Sequence, residues 1–227
     1  DVEIVREMPV PRLDETYLPE PRMVRFPWAG GDRAVAWHYA PANPEWEGPE
    51  DERPPLLVRA HGGPTGGARL QYDLELRYWT SRGWAVCDVD YGGSAGYGRA
   101  YRERLRERWG VVDVADCVGA AARLAEEGVV DPARTVITGG SAGGYTTLMA
   151  LATTDAFAAG ASRFGIADLV RFRRTTHRFE SGYLEGLIGP WPETEDRYRE
   201  RSPLHRLDAM TRPLAVFQGL EDRVVPP

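Results

Sequence analysis

The six residues 139–144, Gly-Gly-Ser-Ala-Gly-Gly, constrain the fold of this chain more than any other segment. They follow the apolar run Thr-Val-Ile-Thr and precede Tyr-Thr-Thr-Leu-Met-Ala-Leu, an order that predicts a strand, a sharp turn and a helix. In a Gly-x-Ser-x-Gly turn the glycines prevent collisions between strand and helix, and the serine stands at the tip. Ser141 is therefore the candidate nucleophile.

A second glycine-rich loop, His-Gly-Gly-Pro at residues 61–64, follows another apolar run at residues 55–60. Many serine hydrolases place one oxyanion donor in an early loop of this kind, and the other is the N–H after the nucleophile, here that of Ala142. Two such fixed N–H dipoles stabilise the transition state by about 3 to 4 kcal/mol each. Each motif alone could be a purely structural turn, but the two together favour a catalytic role.

An acidic residue near the end of the chain fits the same pattern. Residues 213–219 predict a buried strand, and Asp222 follows it. A carboxylate in that place can orient a histidine and stabilise the imidazolium that forms when the serine loses its proton. Asp222 is our candidate, and Glu221 is the alternative if the register shifts by one residue.

Four stretches carry a resemblance to a known family: HGGP at 61–64, DYGGSAGYGRAYRE at 90–103, GGSAGGY at 139–145 and QGLEDRVVPP at 218–227. With these motifs the chain resembles the catalytic domain of the prolyl oligopeptidase family of serine peptidases, nearest its acylaminoacyl-peptidase and dipeptidyl-aminopeptidase-like branch. The resemblance implies Ser141 as nucleophile, Asp222 as triad acid, and the N–H groups of Gly63 and Ala142 as the oxyanion hole. It implies no metal or organic cofactor.

The triad histidine is absent from its expected place. The α/β-hydrolase order is serine, acid, histidine, whereas His38, His61, His177 and His205 all precede Asp222. We interpret His61 as a ring that hydrogen-bonds within its glycine loop, and His177 and His205 as surface residues of an arginine-rich helical region. The family places its histidine beyond the position of Pro227. We therefore expect a piece of a longer protein with little activity of its own.

The alternation of apolar runs and helical patterns predicts an α/β-hydrolase fold with a mostly parallel central sheet, truncated before the last strand and the histidine loop. The expected strands are 23–28, 34–39, 56–60, 85–90, 136–138, 159–164 and 214–218, and the expected helices include 70–82, 101–108 and 113–126. Residues 23–227 form the catalytic domain in this interpretation. An unpaired last strand is a template for pairing with another copy, which would give a homo-oligomer.

The remaining residues at the start of the chain, 1–22, are rich in proline and acid, and we interpret them as the connection from an upstream domain. The resemblance implies that this domain is a β-propeller. Residues 41–55 hold five prolines with acidic residues between them, which is typical of an exposed loop.

Composition excludes several kinds of chemistry. All 28 basic residues are arginine, so lysine cannot activate Ser141, form a Schiff base or bind phosphate in a P-loop. Five arginines between residues 99 and 108 alternate with glutamates, and the net charge is -6, so a solvated helix face is favoured over a nucleic-acid surface.

The histidine spacing predicts no metal site. No apolar run is long enough to cross a membrane, and Cys87 and Cys117, interpreted as reduced core residues, favour a cytoplasmic location.

The function that we predict is that of a serine peptidase cleaving short peptides through an acyl-enzyme intermediate. By resemblance, the substrate pocket is lined by Tyr145, Ile166, Leu169, Phe172 and Val225, which would favour a hydrophobic side chain at the cleaved bond. Arg163, Arg173 and Arg174 are candidates to bind a substrate carboxylate. Two alternatives remain: a carboxylesterase or lipase with the same nucleophile turn, and a catalytically silent binding module with the hydrolase fold.

Overall fold

The computed structural model describes residues 3, 5–6, 14–27, 33–175 and 178–227, without the side chains of 178–181. Seven strands form one sheet: β1 (Arg22–Pro27), β2 (Arg33–Tyr39), β3 (Leu56–Ala60), β4 (Ala85–Asp90), β5 (Thr135–Gly140), β6 (Ala159–Arg163) and β7 (Leu214–Phe217). The helices are α1 (Leu74–Thr80), α2 (Gly98–Glu103), α3 (Val112–Glu126), α4 (Ala142–Thr153), α5 (Leu169–Thr175), α6 (Arg178–Ile188) and α7 (Glu195–Glu200). Three short 3-10 helices cover Glu15–Tyr17, Pro132–Arg134 and Pro203–Ala209.

The strand order is β1-β2-β4-β3-β5-β6-β7. β1 and β2 are antiparallel to their neighbours, and the five strands from β4 to β7 in this order are all parallel. This arrangement confirms the predicted mostly parallel α/β sheet. β3 and β4 have the predicted bounds. β1 begins at Arg22, which was expected to be the last residue of the connecting segment 1–22. Trp28, the expected end of that strand, lies outside the described residues.

Alternating side chains of the strands build a core on each face of the sheet. In β3, Leu56 and Val58 join the larger apolar cluster under α3 and α4, whereas Leu57 joins a smaller one. The smaller cluster also contains Val86 of β4 and Leu76 of α1. Because neighbouring residues of a strand point to opposite faces, α1 covers one face and α3 and α4 the other.

The parallel register places the carboxyl ends of four strands at one edge of the sheet. Ala60 is paired with Gly139, Gly140 with Arg163, and Arg163 with Phe217. The loops that follow β3, β5, β6 and β7 therefore start side by side. In open parallel sheets this edge is where ligands bind.

Two predicted helices have different bounds. α1 begins at Leu74 rather than at residue 70, because the Asp73 carboxylate accepts hydrogen bonds from the N–H groups of Glu75 and Leu76 and caps the helix there. α2 covers Gly98–Glu103 rather than residues 101–108, and the chain then makes turns through residue 111, with Glu107 at a φ of 52°.

The arginine-rich stretch is not uniformly solvated. The expectation of a solvated face is correct for Arg99, Arg102, Arg106 and Arg108, which are exposed. It is wrong for Arg104, which is buried and donates from Nη2 to both carboxylate oxygens of Asp116 at 2.9 Å. Burial of an arginine requires such a partner.

Other expectations concern loops and surface. Residues 41–55 contain no strand or helix and are mostly exposed, as predicted for a loop. Cys87 and Cys117 are both buried and free of any disulfide. Of the helices in the described ranges, none is long and apolar enough to cross a membrane.

Candidate active site

Ser141 stands alone between β5 and α4, since β5 ends at Gly140 and α4 begins at Ala142. Its φ of 56° and ψ of -120° lie in a region that side chains rarely adopt. Its N–H donates to the carbonyl oxygen of Arg163 at 3.0 Å, which fixes the turn to the end of β6. The Ser141 side chain is partly exposed. This is the strained turn that the sequence predicts.

The glycines around Ser141 permit a very close approach of main chains. A β-carbon on Gly143 would lie 2.0 Å from the carbonyl oxygen of Ala60 in β3, and one on Gly139 would lie 2.4 Å from Gly143. Real β-carbons do not come so close, so no side chain fits at either position. The absence of both β-carbons lets α4 start directly against the sheet.

The loop after β3 lies against this turn. A β-carbon on Gly62 would be 3.1 Å from the Gly140 carbonyl oxygen and 3.7 Å from the Ser141 Cβ. Gly63 has a φ of +59°, which glycine adopts without strain. Ala142 is the first residue of α4, so its N–H has no acceptor within the helix. Two main-chain donors, those of Gly63 and Ala142, thus flank the Ser141 turn.

Ser141 lines a cavity of about 720 Å³ whose wall has both polar and apolar groups. His61, Gly62 and Gly63 form one part of its wall, and Arg163 and Phe164 form another. Arg163 ends β6, the strand beside Ser141, and Phe164 directly follows it. The sequence indicated Arg163 as a candidate carboxylate binder and gave Phe164 no role by name. It did predict that residues 160–165 end the strand beside Ser141, and both residues lie in that segment.

Ion pairs line the far side of the same cavity. Arg59 donates to both oxygens of Asp88, at 2.5 and 2.9 Å, and to Asp73 at 2.8 Å. Burial opposes the charge of Arg59, but these two carboxylates outweigh it and raise its pKa. Glu75 binds Arg163 through both carboxylate oxygens, at 2.9 and 3.0 Å. The charged side chains in this wall of the cavity are therefore paired: Arg59 with Asp73 and Asp88, and Arg163 with Glu75.

Asp222 lies in the loop that follows β7. Its Oδ1 accepts hydrogen bonds from the N–H groups of Val224 and Val225, both at 2.9 Å. These two main-chain donors, that of Val225 first, lower the pKa of Asp222, so its carboxylate is charged at neutral pH. Glu221, the alternative acid, is exposed next to it. Asp222 does not line the Ser141 cavity.

The histidines differ in their distance from the Ser141 cavity and in their burial. His61 is the histidine that lines the Ser141 cavity among the described residues. Its Nδ1 lies 3.1 Å from the Gly62 carbonyl oxygen, which agrees with the predicted contact within the glycine loop. Its Nε2 also lies 2.7 Å from the Oγ of Ser94, a distant residue that the sequence did not indicate. His205 is exposed and His38 is buried within β2. His177 lies outside the described residues. No histidine of the described residues reaches Ser141 as a base.

A second, apolar cavity of about 480 Å³ lies beside β6 and β7. Three of the predicted substrate-binding residues, Ile166, Phe172 and Val225, line it, and Ser141 does not. These three side chains therefore line a different cavity from the one that Ser141 lines.

Tyr145 and Leu169, the two other predicted substrate-binding residues, are both fully buried. The Tyr145 ring packs on Trp109 and its hydroxyl donates to the Arg201 carbonyl oxygen at 2.9 Å. Neither residue lines the wall of either cavity, so the prediction that they contact substrate does not agree with their placement.

The two other candidate arginines differ in exposure. Arg173 is paired with Glu185 at 3.0 Å, and Arg174 is exposed.

Within the ranges that the structure describes, no three histidine, cysteine or acidic side chains come together as a metal site would require.

The chain is similar to a known family and to several known proteins. The model of the prolyl oligopeptidase family matches residues 70–227. Dipeptidyl aminopeptidase BIII of Pseudoxanthomonas mexicana is 32% identical over 182 residues, which cover 78% of this chain and 26% of that protein. The acylamino-acid-releasing enzyme of Arabidopsis thaliana is 29% identical over 180 residues, 76% of this chain and 24% of the enzyme.

Solved structures are similar over nearly the whole chain. A puromycin-hydrolyzing peptidase of Mycobacterium tuberculosis has a TM-score of 0.94 and 53% identity, covering 96% of this chain and 33% of its own. The acylaminoacyl peptidase of Pyrococcus horikoshii has a TM-score of 0.83 and 31% identity, covering 92% and 33%. The chain thus spans about a quarter of the length of its curated relatives and a third of these solved chains. Since the family model matches well over half of its residues, the chain belongs to the prolyl oligopeptidase family.

Proposed function

We propose that the natural protein containing this chain is a serine peptidase that cleaves short peptides, and that Ser141 is its nucleophile. The observation that carries the proposal is the position of Ser141 at a strained turn, with the Gly62–Gly63 loop packed against it. Membership of the prolyl oligopeptidase family supports it independently.

In this mechanism the Ser141 Oγ attacks the carbonyl carbon of the substrate while a histidine, which the described residues do not supply, takes its proton. The N–H groups of Gly63 and Ala142 hold the oxyanion of the tetrahedral intermediate. The intermediate then expels the amine, which takes the proton back from the histidine. Water attacks the resulting ester in the same way and releases the acid product.

Asp222 serves as the triad acid in this proposal. Its carboxylate stays ionised at neutral pH, because two main-chain N–H groups stabilise the anion. An anion beside the imidazole holds it in the tautomer that accepts the serine proton, and it stabilises the imidazolium that follows. Replacement of Asp222 by asparagine should lower kcat by about 10⁴-fold, as expected when the tautomer is wrong.

The relatives suggest which substrates to test. They include a dipeptidyl aminopeptidase, an acylamino-acid-releasing enzyme and a puromycin-hydrolyzing peptidase. We infer that the substrate is a short peptide or an aminoacyl amide with a hydrophobic side chain before the cleaved bond. The apolar cavity lined by Ile166, Phe172 and Val225 supports this inference, because its lining suits an apolar side chain.

The first experiment measures the intact mass of the natural full-length protein after treatment with a fluorophosphonate. We expect one phosphonyl adduct, and none with the Ser141→Ala variant. An adduct retained by Ser141→Ala would reject Ser141 as nucleophile. A folded wild-type protein without an adduct would favour the silent binding module.

Hydrolysis rates then distinguish the activities. The panel consists of a dipeptidyl amide, an N-acetyl aminoacyl amide, puromycin and a simple ester. Faster cleavage of one amide than of the ester, by kcat/KM, supports the peptidase. Cleavage of the ester alone would instead support the carboxylesterase.

We also propose that residues 1–22 connect this domain to an upstream β-propeller and that the protein is cytoplasmic. The share of its relatives that the chain spans supports a longer protein. Limited proteolysis of the natural protein, with the fragments identified by mass, tests this domain boundary. A boundary far from residue 22 would contradict it.

A further inference from the structure

The first turn of α4 is weak by itself. It begins with Ala142, Gly143 and Gly144, and each glycine costs about 1 kcal/mol relative to alanine in a helix. Ser141 precedes it in a strained conformation, and no side chain caps this end of the helix. In the proposed mechanism the same turn carries the nucleophile and the N–H of Ala142. Contacts with other elements must therefore fix its position.

Asp113, in the first turn of α3, makes such a contact. It is fully buried, and its Oδ1 accepts the N–H of Gly110 at 2.7 Å. Its Oδ2 lies 2.5 Å from the Oγ1 of Thr146 in α4, which is fully buried as well. The same Oγ1 is 3.1 Å from the carbonyl oxygen of Ala142. A chain of buried polar groups thus leads from the start of α3 to the first residue of α4.

This chain holds together in either protonation state of Asp113. The Thr146 hydroxyl has one proton to donate and two acceptors within reach. Burial raises the pKa of Asp113 to about 6, so at neutral pH it is mostly a carboxylate and accepts that proton in a strong, charge-assisted hydrogen bond. In acid, the protonated Asp113 donates to the Thr146 Oγ1, and Thr146 donates to the Ala142 carbonyl oxygen. The Asp113–Thr146 hydrogen bond persists in both states.

Among the described residues, this is the one hydrogen bond that joins α3 to α4. The apolar contacts between the two helices are non-directional. A hydrogen bond weakens steeply away from its preferred angle, so this one fixes how α4 is rotated against α3. Thr147, the next residue of α4, is equally buried, but its hydroxyl donates to the Gly143 carbonyl oxygen of its own helix at 2.9 Å.

We propose that Asp113 and Thr146 are positioning residues whose hydrogen bond locks α4 against α3. The bond holds the Ser141 hydroxyl and the Ala142 N–H in the arrangement that acyl transfer needs. The proposal rests on the proposed function, because it needs that reaction at Ser141. Neither residue touches the substrate or takes a proton from it. A displacement of about 1 Å at a catalytic group can lower the rate by about 100-fold, so loss of the bond should affect kcat more than KM.

Substitutions of the two threonines in the natural full-length protein provide the first test. Thr146→Val replaces the hydroxyl by a methyl group, and we expect kcat to fall about tenfold with KM changed by less than about twofold. Thr146→Ser keeps the hydroxyl and should stay within about threefold of the wild type. Thr147→Val is the matched control, since it removes an equally buried hydroxyl of the same helix. Its kcat should stay within about twofold of the wild type.

Substitutions of Asp113 provide the second test. Asp113→Asn keeps both contacts, because its amide oxygen accepts the Gly110 N–H and its amide N–H donates to Thr146, so kcat should stay within about threefold of the wild type. Asp113→Leu removes both contacts and should lower kcat about as much as Thr146→Val. Because the two single variants break the same bond, the double variant should be no slower than the slower of them.

Low kcat in Thr146→Val, with Thr147→Val unaffected at a similar melting temperature, supports the proposal. Equal kcat for these two variants, or an effect confined to KM, would overturn it. So would losses that multiply in the double variant, or an Asp113→Asn protein as slow as Asp113→Leu. Either test decides alone if a variant of the other does not fold. If Ser141→Ala were as active as the wild type, the proposed function would fail instead.

Discussion

Gly143 allows a sharp test of the packing at the Ser141 turn. In the Gly143→Ala variant the new β-carbon would lie 2.0 Å from the Ala60 carbonyl oxygen, 2.7 Å from the Ala60 carbonyl carbon and 2.9 Å from the His61 carbonyl oxygen. All three atoms are main chain, and Ala60 ends β3, which pairs with a parallel strand on each side. No flexible side chain can move to relieve the contact.

The expected cost follows from that distance. Ordinary contact for a β-carbon begins near 3.4 Å, so α4 and β3 must separate by about 1.4 Å or the strand must leave its register. Overpacking of a core typically costs about 1 to 3 kcal/mol. A contact with main chain on both sides belongs at the upper end, and it exceeds the gain of about 1 kcal/mol that alanine has over glycine in a helix. The cost of about 3 kcal/mol less the gain of about 1 kcal/mol leaves a net loss, so we expect Gly143→Ala to lower the free energy of unfolding by about 2 kcal/mol.

Gly186 provides the matched control. It lies in α6 and is exposed, and a β-carbon added there would have no atom within 4 Å. Gly186→Ala should therefore raise the free energy of unfolding by up to about 1 kcal/mol through helix propensity alone.

Thermal unfolding followed by tryptophan fluorescence measures both variants. For a domain of this size, about 1 kcal/mol shifts the melting temperature by roughly 2 to 4 °C. Gly143→Ala should lower the melting temperature by roughly 4 to 8 °C, and Gly186→Ala should raise it slightly. If Gly143→Ala melted at or above the wild-type temperature, the close approach of α4 to β3 would be refuted.

Three further predictions concern strain, buried charge and pH. Ser141→Gly should raise the free energy of unfolding by about 1 kcal/mol, since glycine relieves the positive φ; an equal gain in Ser141→Ala would contradict this. Arg104→Met should cost about 3 to 5 kcal/mol in denaturant unfolding, because it leaves Asp116 buried and unpaired, and adding Asp116→Leu should restore part of it. Burial raises the pKa of Asp113 to about 6, so its folded form keeps a proton that the unfolded chain loses above pH 3.8. As pH rises from 3.8 to about 6, the free energy of unfolding of the wild type should therefore fall by up to about 3 kcal/mol relative to that of Asp113→Asn. If the two proteins showed the same dependence of stability on pH, the raised pKa of Asp113 would be rejected.

Secondary structure was predictable where the signal is local. The bounds of β3 and β4 follow from short apolar runs that end at glycine, proline or polar residues. The start of α1 was wrong because the apolar pattern extends back to residue 70, whereas the Asp73 carboxylate caps the helix later. The end of α2 was wrong for a long-range reason. The chain turns after Glu103, Arg104 pairs with Asp116, and the Glu107 N–H donates to the Gly186 carbonyl oxygen.

The candidate site was predictable in part for a similar reason. Ser141 and the Gly62–Gly63 loop lie within short motifs whose glycines report directly on close main-chain contacts. Their catalytic roles, and that of Asp222, stay predictions. The pocket residues were harder, because each lies on a helix or loop whose rotation depends on its neighbours. Tyr145 is adjacent to the glycine turn in sequence, yet it faces Trp109 in the core.

The sequence by itself determined the strand–turn–helix at Ser141, the alternation of strands and helices, and the absence of lysine chemistry, because these depend on residues that are neighbours along the chain or on composition. Only the tertiary structure decided which strand ends meet, which arginines are buried, and that His61 reaches both Ser94 and the Gly62 carbonyl oxygen. These contacts join residues from different strands and loops. Their geometry depends on sheet order and register, which hydrogen bonds and packing between distant segments fix together.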